Sequence, residues 1–490
     1  MGSIAIDALM TESHTPDVKI HPSKAAAQSQ AQTNGTKTPY KIKEAPIGSH
    51  RPTRIICMGA GYSGLMMGIV YTQQMRDNNT EFVIYERNND LGGTWLENRY
   101  AHPNHTGILL YYQDRLTHIR CRYPGCSCDI PAHNYAYSFA PNPGWPNYYA
   151  TSEQIHAYMK DTAHKYDVEK YTKYNHSIVD ARWNDQAGKW NLKVRDAAGK
   201  TFDDQCDVFV NAAGVLNKWK WPSIDGLQDF EGKLLHSASW DQSYDFTDKR
   251  VGVIGIGSSG IQIVPKLAKV AKSLTSFIRS QTWISPSPGV NEPTANDPEM
   301  DKDYNFSPDV LQKFEEDPEY LLDHRRAIIN RRIDNFKRAM KDSDVQVKAQ
   351  ALFTKSMSDR LGDSERGKKL REMLVPKFPV GCRRQTPGPG FLEVLLQDNV
   401  QTRWDDILKI TKKGILTKSG DELEFDAIVC ATGFDTSFQP SFLIVGKNGA
   451  NLAQQWTEDR PKAYFGITVP NFPNYFSKSI WTCTNHEDID

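Results

Sequence analysis

No stretch of eighteen consecutive apolar residues occurs in the 490, so the sequence offers no helix that would cross a bilayer. Neither sign of charge is in excess: 59 Lys and Arg balance 59 Asp and Glu, for a formal net charge of zero. That balance excludes the broad basic face that nucleic acid or anionic lipid would need. Anionic ligands would then have to be held by helix ends and single arginines. A secretory signal is lacking too, since MGSIAIDALMTESHTPD has no basic start followed by an apolar core. Ile6 stands where myristoylation after Met-Gly wants Ser or Thr. Cysteine is sparse, with eight in the chain, and without a signal these read as reduced thiols of an intracellular, cytoplasmic protein. Cys126-x-Cys128 has no second Cys/His pair at zinc spacing, so no metal site is expected.

The length suits two or three domains. Residues 1–50 are rich in Ala, Gln, Ser, Thr and Lys without apolar periodicity and read as a disordered leader. After them, the apolar run from Arg54 to Met58 opens into Gly59-Ala-Gly61-Tyr-Ser-Gly64, and the run from Val251 opens into Gly255-Ile-Gly257-Ser-Ser-Gly260. Each reads as a strand, a glycine turn and a helix. In each, the first glycine allows the tight turn, the second lets a diphosphate approach the backbone, and the third lets the helix pack on the strand. The helix N-terminus offers free N–H groups and about half a positive charge to phosphate. One such motif is weak evidence. Two in one chain point to a flavoprotein that takes hydride from a nicotinamide.

Details around both motifs support this reading. The helix from about Tyr62 to Met75 is followed by a strand, Glu81–Tyr85, that ends at Glu86. Glu86 stands 22 residues past Gly64, where an acid accepts hydrogen bonds from a ribose. After the second motif comes the helix IQIVPKLAKVA, then a strand over Ser273–Ile278 leading to Arg279-Ser280. Arg279 takes the place that NAD enzymes give an acid, and a guanidinium there favours a 2′-phosphate, hence NADPH. Cys121-x4-Cys126 copies the redox-pair spacing of disulfide reductases. In those enzymes, however, the first cysteine directly follows the glycine pair, where this chain has Gly92-Gly93-Thr94-Trp95.

Phe230-x-Gly232-x-x-x-His236-x-x-x-Trp240-Asp241 precedes the second glycine motif. Taken alone, His236 and Trp240 four residues apart suggest core packing. In this position the stretch resembles the fingerprint of the flavin-dependent Baeyer–Villiger monooxygenases. Gly92-Gly93-Thr94-Trp95, Pro124–Tyr135, Phe378–Glu393 and Ala427–Asp435 are similar to further segments of that family. The wording of GCRRQTPGPGFLE resembles its fungal secondary-metabolism members, among them oxygenases of the sterigmatocystin and aflatoxin pathway.

The resemblance implies an α/β fold with two Rossmann-like dinucleotide-binding domains, for FAD and NADP, and a helical insert. It divides the chain into a first FAD-binding part at 51–218, an NADP-binding domain at 219–384 with a helical subdomain at 291–376, and a second FAD-binding part at 385–490. The strand Ala427–Cys430 with its Ala431-Thr432-Gly433 is placed in that second FAD part. By the same resemblance Gly59, Gly61, Gly64, Glu86, Gly93, Thr94, Trp95, Asp129 and Tyr135 would face the flavin cofactor. Gly255, Gly257, Ser258, Ser259, Gly260, Gln262, Arg279, Ser280 and Arg383 would hold the nicotinamide cofactor. Arg384 would hold the reacting oxygens by charge, with Asp129 orienting it. Of the fingerprint residues Phe230, Gly232, His236 and Trp240, His236 and Trp240 would lock the linker, placed at Val215–Pro222, rather than touch substrate. The basic cluster His324–Arg332 reads as a solvated face.

The implied reaction uses NADPH, FAD and O2 to insert one oxygen next to a ketone carbonyl, giving an ester or lactone. Small molecules are the expected partners, with no nucleic acid and no membrane span. Two other readings stay open: N- or S-oxygenation by the same cofactors, and an inactive flavoprotein or a defective gene model. The last draws on two departures from the family pattern. Residues 101–123 interrupt what would otherwise read NRYPGCSCDIPAHNY, with Arg-Tyr at both edges, and read as an insertion, with retained intron sequence as one source. The chain also ends at SKSIWTCTNHEDID, where the family continues through a further loop and helix.

Overall fold

The computed structural model describes residues 49, 51–76, 79–97, 123–286, 298–301, 303–340, 343–458 and 461–477. Nearly all of the expected leader and of the expected insertion, and the final thirteen residues, lie outside these. Among the described residues, no helix is long and apolar enough to cross a membrane.

Two parallel five-stranded sheets carry the two glycine motifs. In the first, the order is Tyr475–Ser477, Val208–Asn211, Thr53–Met58, Thr80–Tyr85 and Thr172–Lys173. In the second it is Val400–Arg403, Ser273–Phe277, Arg250–Ile254, Ala427–Cys430 and Lys233–His236. The central strands are continuous apolar runs, as strands covered on both faces must be. Each is followed by its glycine turn and helix, Tyr62–Val70 in one case and Ser258–Leu267 in the other. The third glycine of each motif shows why no other residue serves. A Cβ on Gly64 would sit 1.8 Å from the Gly59 carbonyl oxygen, and one on Gly260 would sit 2.1 Å from that of Gly255.

Ala427–Cys430 corrects one expectation. It does not join the first sheet, the expected place, but pairs with Arg250–Ile254 on one side and Lys233–His236 on the other. Its Ala431 carbonyl lies against the Gly255 turn, as the Ala212 carbonyl lies against Gly59, with hypothetical Cβ-to-oxygen distances of 2.7 and 2.9 Å. The two apolar strands ending in Ala-Ala-Gly and Ala-Thr-Gly are therefore counterparts in different sheets. Val400–Arg403 also belongs to the second sheet, so that unit extends well past residue 384. The chain returns to the first sheet at Tyr475–Ser477, beside Val208–Asn211. Buried Trp190 fastens this return, packing at 6.0 Å on the Tyr475 ring and donating its indole N–H to the Pro473 carbonyl at 2.8 Å.

The strands Ser177–Asn184, Lys189–Arg195 and Thr201–Cys206 form a separate antiparallel meander, joined by Leu443–Val445. The charged segment after residue 300 is helical as expected, over Pro308–Glu316, Pro318–Asp334, Asp344–Leu361 and Glu365–Leu374. Ser307, Ser343 and Ser364 cap three of these, each accepting a backbone N–H in the first turn. The basic cluster is not wholly solvated: His324 and Arg325 are 4% and 9% exposed. Arg325 reaches the carbonyls of Tyr137 and Ser138, while His324 packs at 5.0 Å on Phe314, so both anchor the insert.

Candidate active site

A cleft of about 400 Å³ opens beside the first glycine turn, lined by Gly61, Glu86, Thr94, Tyr135, Gly214 and Asn217 among others. Its floor consists of backbone. Gly93, at φ +50°, approaches Gly61 so closely that a Cβ there would sit 2.9 Å from the Gly61 Cα. Two glycine segments in contact bring bare backbone to that part of the cleft, which fits the diphosphate of a dinucleotide. Glu86 lies at the end of its strand, 3% exposed, and accepts the Ala60 N–H at 2.7 Å and the Asn88 amide groups at 2.9 and 2.7 Å. Trp95 donates its indole N–H to the Tyr135 hydroxyl at 3.0 Å, fixing both aromatic walls.

A second cleft, about 440 Å³, is lined by Arg279, Ser280, Phe378, Arg383 and Trp404, with Glu372 also facing it. Arg383 lies over the Phe378 ring at 5.3 Å and donates to the Ser280 hydroxyl at 3.0 Å and to the Gln281 carbonyl at 3.3 Å. The two arginines and the serine expected to grip a 2′-phosphate therefore meet in one place.

Asp129 and Arg384, 255 positions apart in sequence, form an ion pair with Nη2 to Oδ2 at 3.2 Å. The Asp129 side chain is 8% exposed and that of Arg384 is 68% exposed, so a buried carboxylate holds one end of an accessible cation. Burial pushes the Asp129 carboxyl above its ordinary range; the neighbouring guanidinium and the Ser258 hydroxyl pull in the opposite direction.

Several residues behave differently from expectation. Gln262 is 8% exposed, and its amide is engaged not with a cofactor cleft but with the segment that carries Asp129. It accepts from the Tyr123 hydroxyl at 2.8 Å and donates to the Ser127 carbonyl at 3.1 Å. Tyr123, the last residue of the expected insertion, is 7% exposed and belongs to the core. Cys126 and Cys128 are buried, and burial pushes Cys128 up to about 12, which suits packing of that thiol rather than redox chemistry. Cys121 lies outside the described residues. Sequence reasoning missed Thr386, which is 3% exposed and 3.3 Å from the Ser258 hydroxyl.

The fingerprint residues lie at the join between the units. A Cβ on Gly232 would sit 2.8 Å from the Asp426 carbonyl oxygen. Trp240 stacks on Phe246 at 5.4 Å. His236 is fully buried, stacks on Trp219 at 4.4 Å and meets the edge of Trp221 at 5.7 Å. The Ala238 N–H donates to its Nδ1 at 3.1 Å, so Nε2 carries the proton and donates to Thr432 Oγ1 at 3.2 Å. One imidazole thus touches the outgoing linker and the returning Ala-Thr-Gly turn. Burial lowers its pKa from 6.5 to about 4. The unfolded chain takes up a proton that the fold refuses, so stability present above pH 6.5 is lost as pH falls towards 4. The expected melting temperature declines over that window, and less steeply in His236→Phe; parallel slopes in a pH-dependent melting series would count against this.

Comparison with known proteins agrees with the geometry. A model of the family described as flavin-binding monooxygenase-like matches residues 52–288. The FAD-binding monooxygenase tazF of Aspergillus terreus is 35% identical over 442 residues, covering 90% of this chain and 73% of that protein. A Baeyer–Villiger monooxygenase of Pseudomonas aeruginosa is 30% identical over 427 residues, covering 87% of this chain and 72% of that one. Among solved structures, an open form of cyclohexanone monooxygenase shares the fold with a TM-score of 0.68 at 23% identity, covering 87% of this chain and 82% of that one. On these relatives and this architecture, the chain belongs to the flavin-dependent Baeyer–Villiger monooxygenase family.

Proposed function

We propose that this protein binds FAD in the first cleft and NADPH in the second, and converts a ketone, O2, NADPH and a proton into an ester or lactone, water and NADP+. The observation that carries the reading is the Asp129–Arg384 pair, which places an accessible guanidinium on a buried anchor beside the second glycine motif. The flavin, when bound, supplies the reactive oxygen and the nicotinamide supplies the electrons.

The remaining work falls to the chain's own residues. Gly61 and Gly93 present backbone amides to the diphosphate of the first dinucleotide, and Glu86 lies at the end of the groove for its ribose. Arg279 and Arg383, backed by Ser280, supply positive charge for the 2′-phosphate of the second. Arg384 would offer N–H donors where negative charge develops on oxygen as the carbonyl is attacked. Asp129 keeps that arginine from swinging out to solvent. A soft nitrogen or sulfur nucleophile would need no such cation, which favours carbonyl oxygenation. The fungal relative and the wording around Arg384 support a secondary-metabolite ketone as substrate.

The test is the visible spectrum of the purified chain under anaerobic conditions, followed by product analysis with ketones in air. A flavin band that NADPH bleaches, faster than NADH does, and an ester carrying one oxygen from O2 are expected. A chain that takes up no FAD, or that consumes NADPH without oxygenating any ketone, would oppose the proposal.

A further inference from the structure

Asp129 is approached by more than its arginine. The Ser258 hydroxyl donates to the same carboxylate oxygen, Oδ2, at 2.8 Å, and Gln262 Nε2 lies 3.4 Å from Oδ1. Ser258 Oγ is also 3.3 Å from Thr386 Oγ1, on the residue two positions beyond Arg384. The contacts close a ring: Arg384 to Asp129, Asp129 to Ser258, Ser258 to Thr386, and back along the backbone. Within that ring the hydroxyl makes the shortest bond to the carboxylate. It is carried on a single rotatable bond at the start of the helix Ser258–Leu267, whereas Arg384 hangs on four and is mostly exposed.

We propose that the Ser258 side chain is a positioning group for the Asp129–Arg384 pair, tying it to the first turn of the second glycine helix. The hydroxyl fixes the rotation of the carboxylate, and the carboxylate fixes the guanidinium. Its catalytic consequence rests on the Baeyer–Villiger reading; the tie itself does not. The same helix end is where the diphosphate of the nicotinamide cofactor is proposed to sit. A ligand that draws the Ser258 hydroxyl away from Asp129 would therefore loosen Arg384.

The Asp129 carboxyl is held above its ordinary value by burial, with Arg384 and Ser258 opposing. Its ionisation in the fold therefore costs stability. That cost is absent in acid, where the carboxyl is protonated in both folded and unfolded chains, and appears as pH rises through the folded value. The other titratable groups against Asp129 are Cys128 and Tyr149, both pushed upward by burial, so neither ionises in this range.

The experiment is a pH series of melting temperatures on the full chain with Ser258→Ala and Ser258→Thr, each also built on Asp129→Asn. The Ser258→Ala deficit should grow as pH rises, shrink in acid, and lose its pH dependence on the Asp129→Asn background. Ser258→Thr, which keeps the donor, should follow the parent. If the Ala variant does not fold, Ser258→Gly removes the same hydroxyl and is read in the same way. In turnover, Ser258→Ala should lower ester formed per NADPH consumed by about tenfold or more, the scale of a lost hydrogen bond to a charged group, with Thr restoring it. A deficit that is constant with pH, or equally pH-dependent without Asp129, overturns the proposal. If the parent oxygenates no ketone, the functional reading falls while the melting series still decides the role of Ser258.

Discussion

Arg384→Ala should abolish ester formation, by about a hundredfold to a thousandfold, while NADPH still bleaches the flavin at close to the parent rate. The magnitude is that of removing one preorganised donor from a developing oxyanion. The split between half-reactions follows from where the charge sits. Arg384 pairs with Asp129 across the site, whereas Arg383 faces the second cleft, so losing Arg384 leaves Arg279, Ser280 and Arg383 in place for the nicotinamide cofactor. Asp129 would then be a buried carboxylate without its cation, and its carboxyl would move further upward. Stopped-flow absorbance at the flavin band, paired with product analysis under O2, reads both halves. Retained ester formation would remove Arg384 from the mechanism. Loss of flavin reduction to the same degree would make its role structural.

Gly64→Ala should be the most damaging single methyl group that can be added to the first unit. The new Cβ would lie 1.8 Å from the Gly59 carbonyl oxygen and 2.9 Å from its carbon, both backbone atoms that no side-chain rotation can move. The helix would have to lift from the strand by more than an ångström, costing about 3 kcal/mol or more, the upper range for overpacking. The glycine groove would be displaced with it. Protein recovered from this variant should carry little FAD and melt well below the parent. Gly257→Ala is the matched control, because a Cβ there meets nothing within 4 Å. Its fold and flavin content should be those of the parent. A Gly64→Ala protein with full flavin and unchanged melting would mean that helix and strand are not packed as described.

What the sequence made legible was local. Both glycine turns, the strands that feed them and the helices that follow them could be placed from spacing alone. Glu86 and Arg279 could be assigned because their distance from a glycine motif is set by one βαβ unit. The sheet that Ala427–Cys430 joins could not be read, because a buried parallel strand looks the same in either. Its apolar run and Ala-Thr-Gly ending match those of Val208–Gly214, which belongs to the other sheet. The contacts of Gln262 were hidden for a related reason: position in a motif fixes where a side chain starts, not which of two neighbouring segments it meets. His324 and Arg325 looked solvated because charge in sequence does not report that backbone carbonyls at Tyr137 and Ser138 wait for the guanidinium.

Arg383 and Arg384 are consecutive residues, yet one touches Ser280 in the second cleft and the other touches Asp129. A single peptide unit joins them, so the two contacts are not independent energetically. By thermodynamic reciprocity, if filling the second cleft alters the free energy of the Arg384–Asp129 contact by some factor, breaking that contact must alter affinity for the cleft's ligand by the same factor. On the proposed function, the affinity of the resting protein for NADP+, measured with no substrate or oxygen present, would then carry information about the Arg384–Asp129 contact.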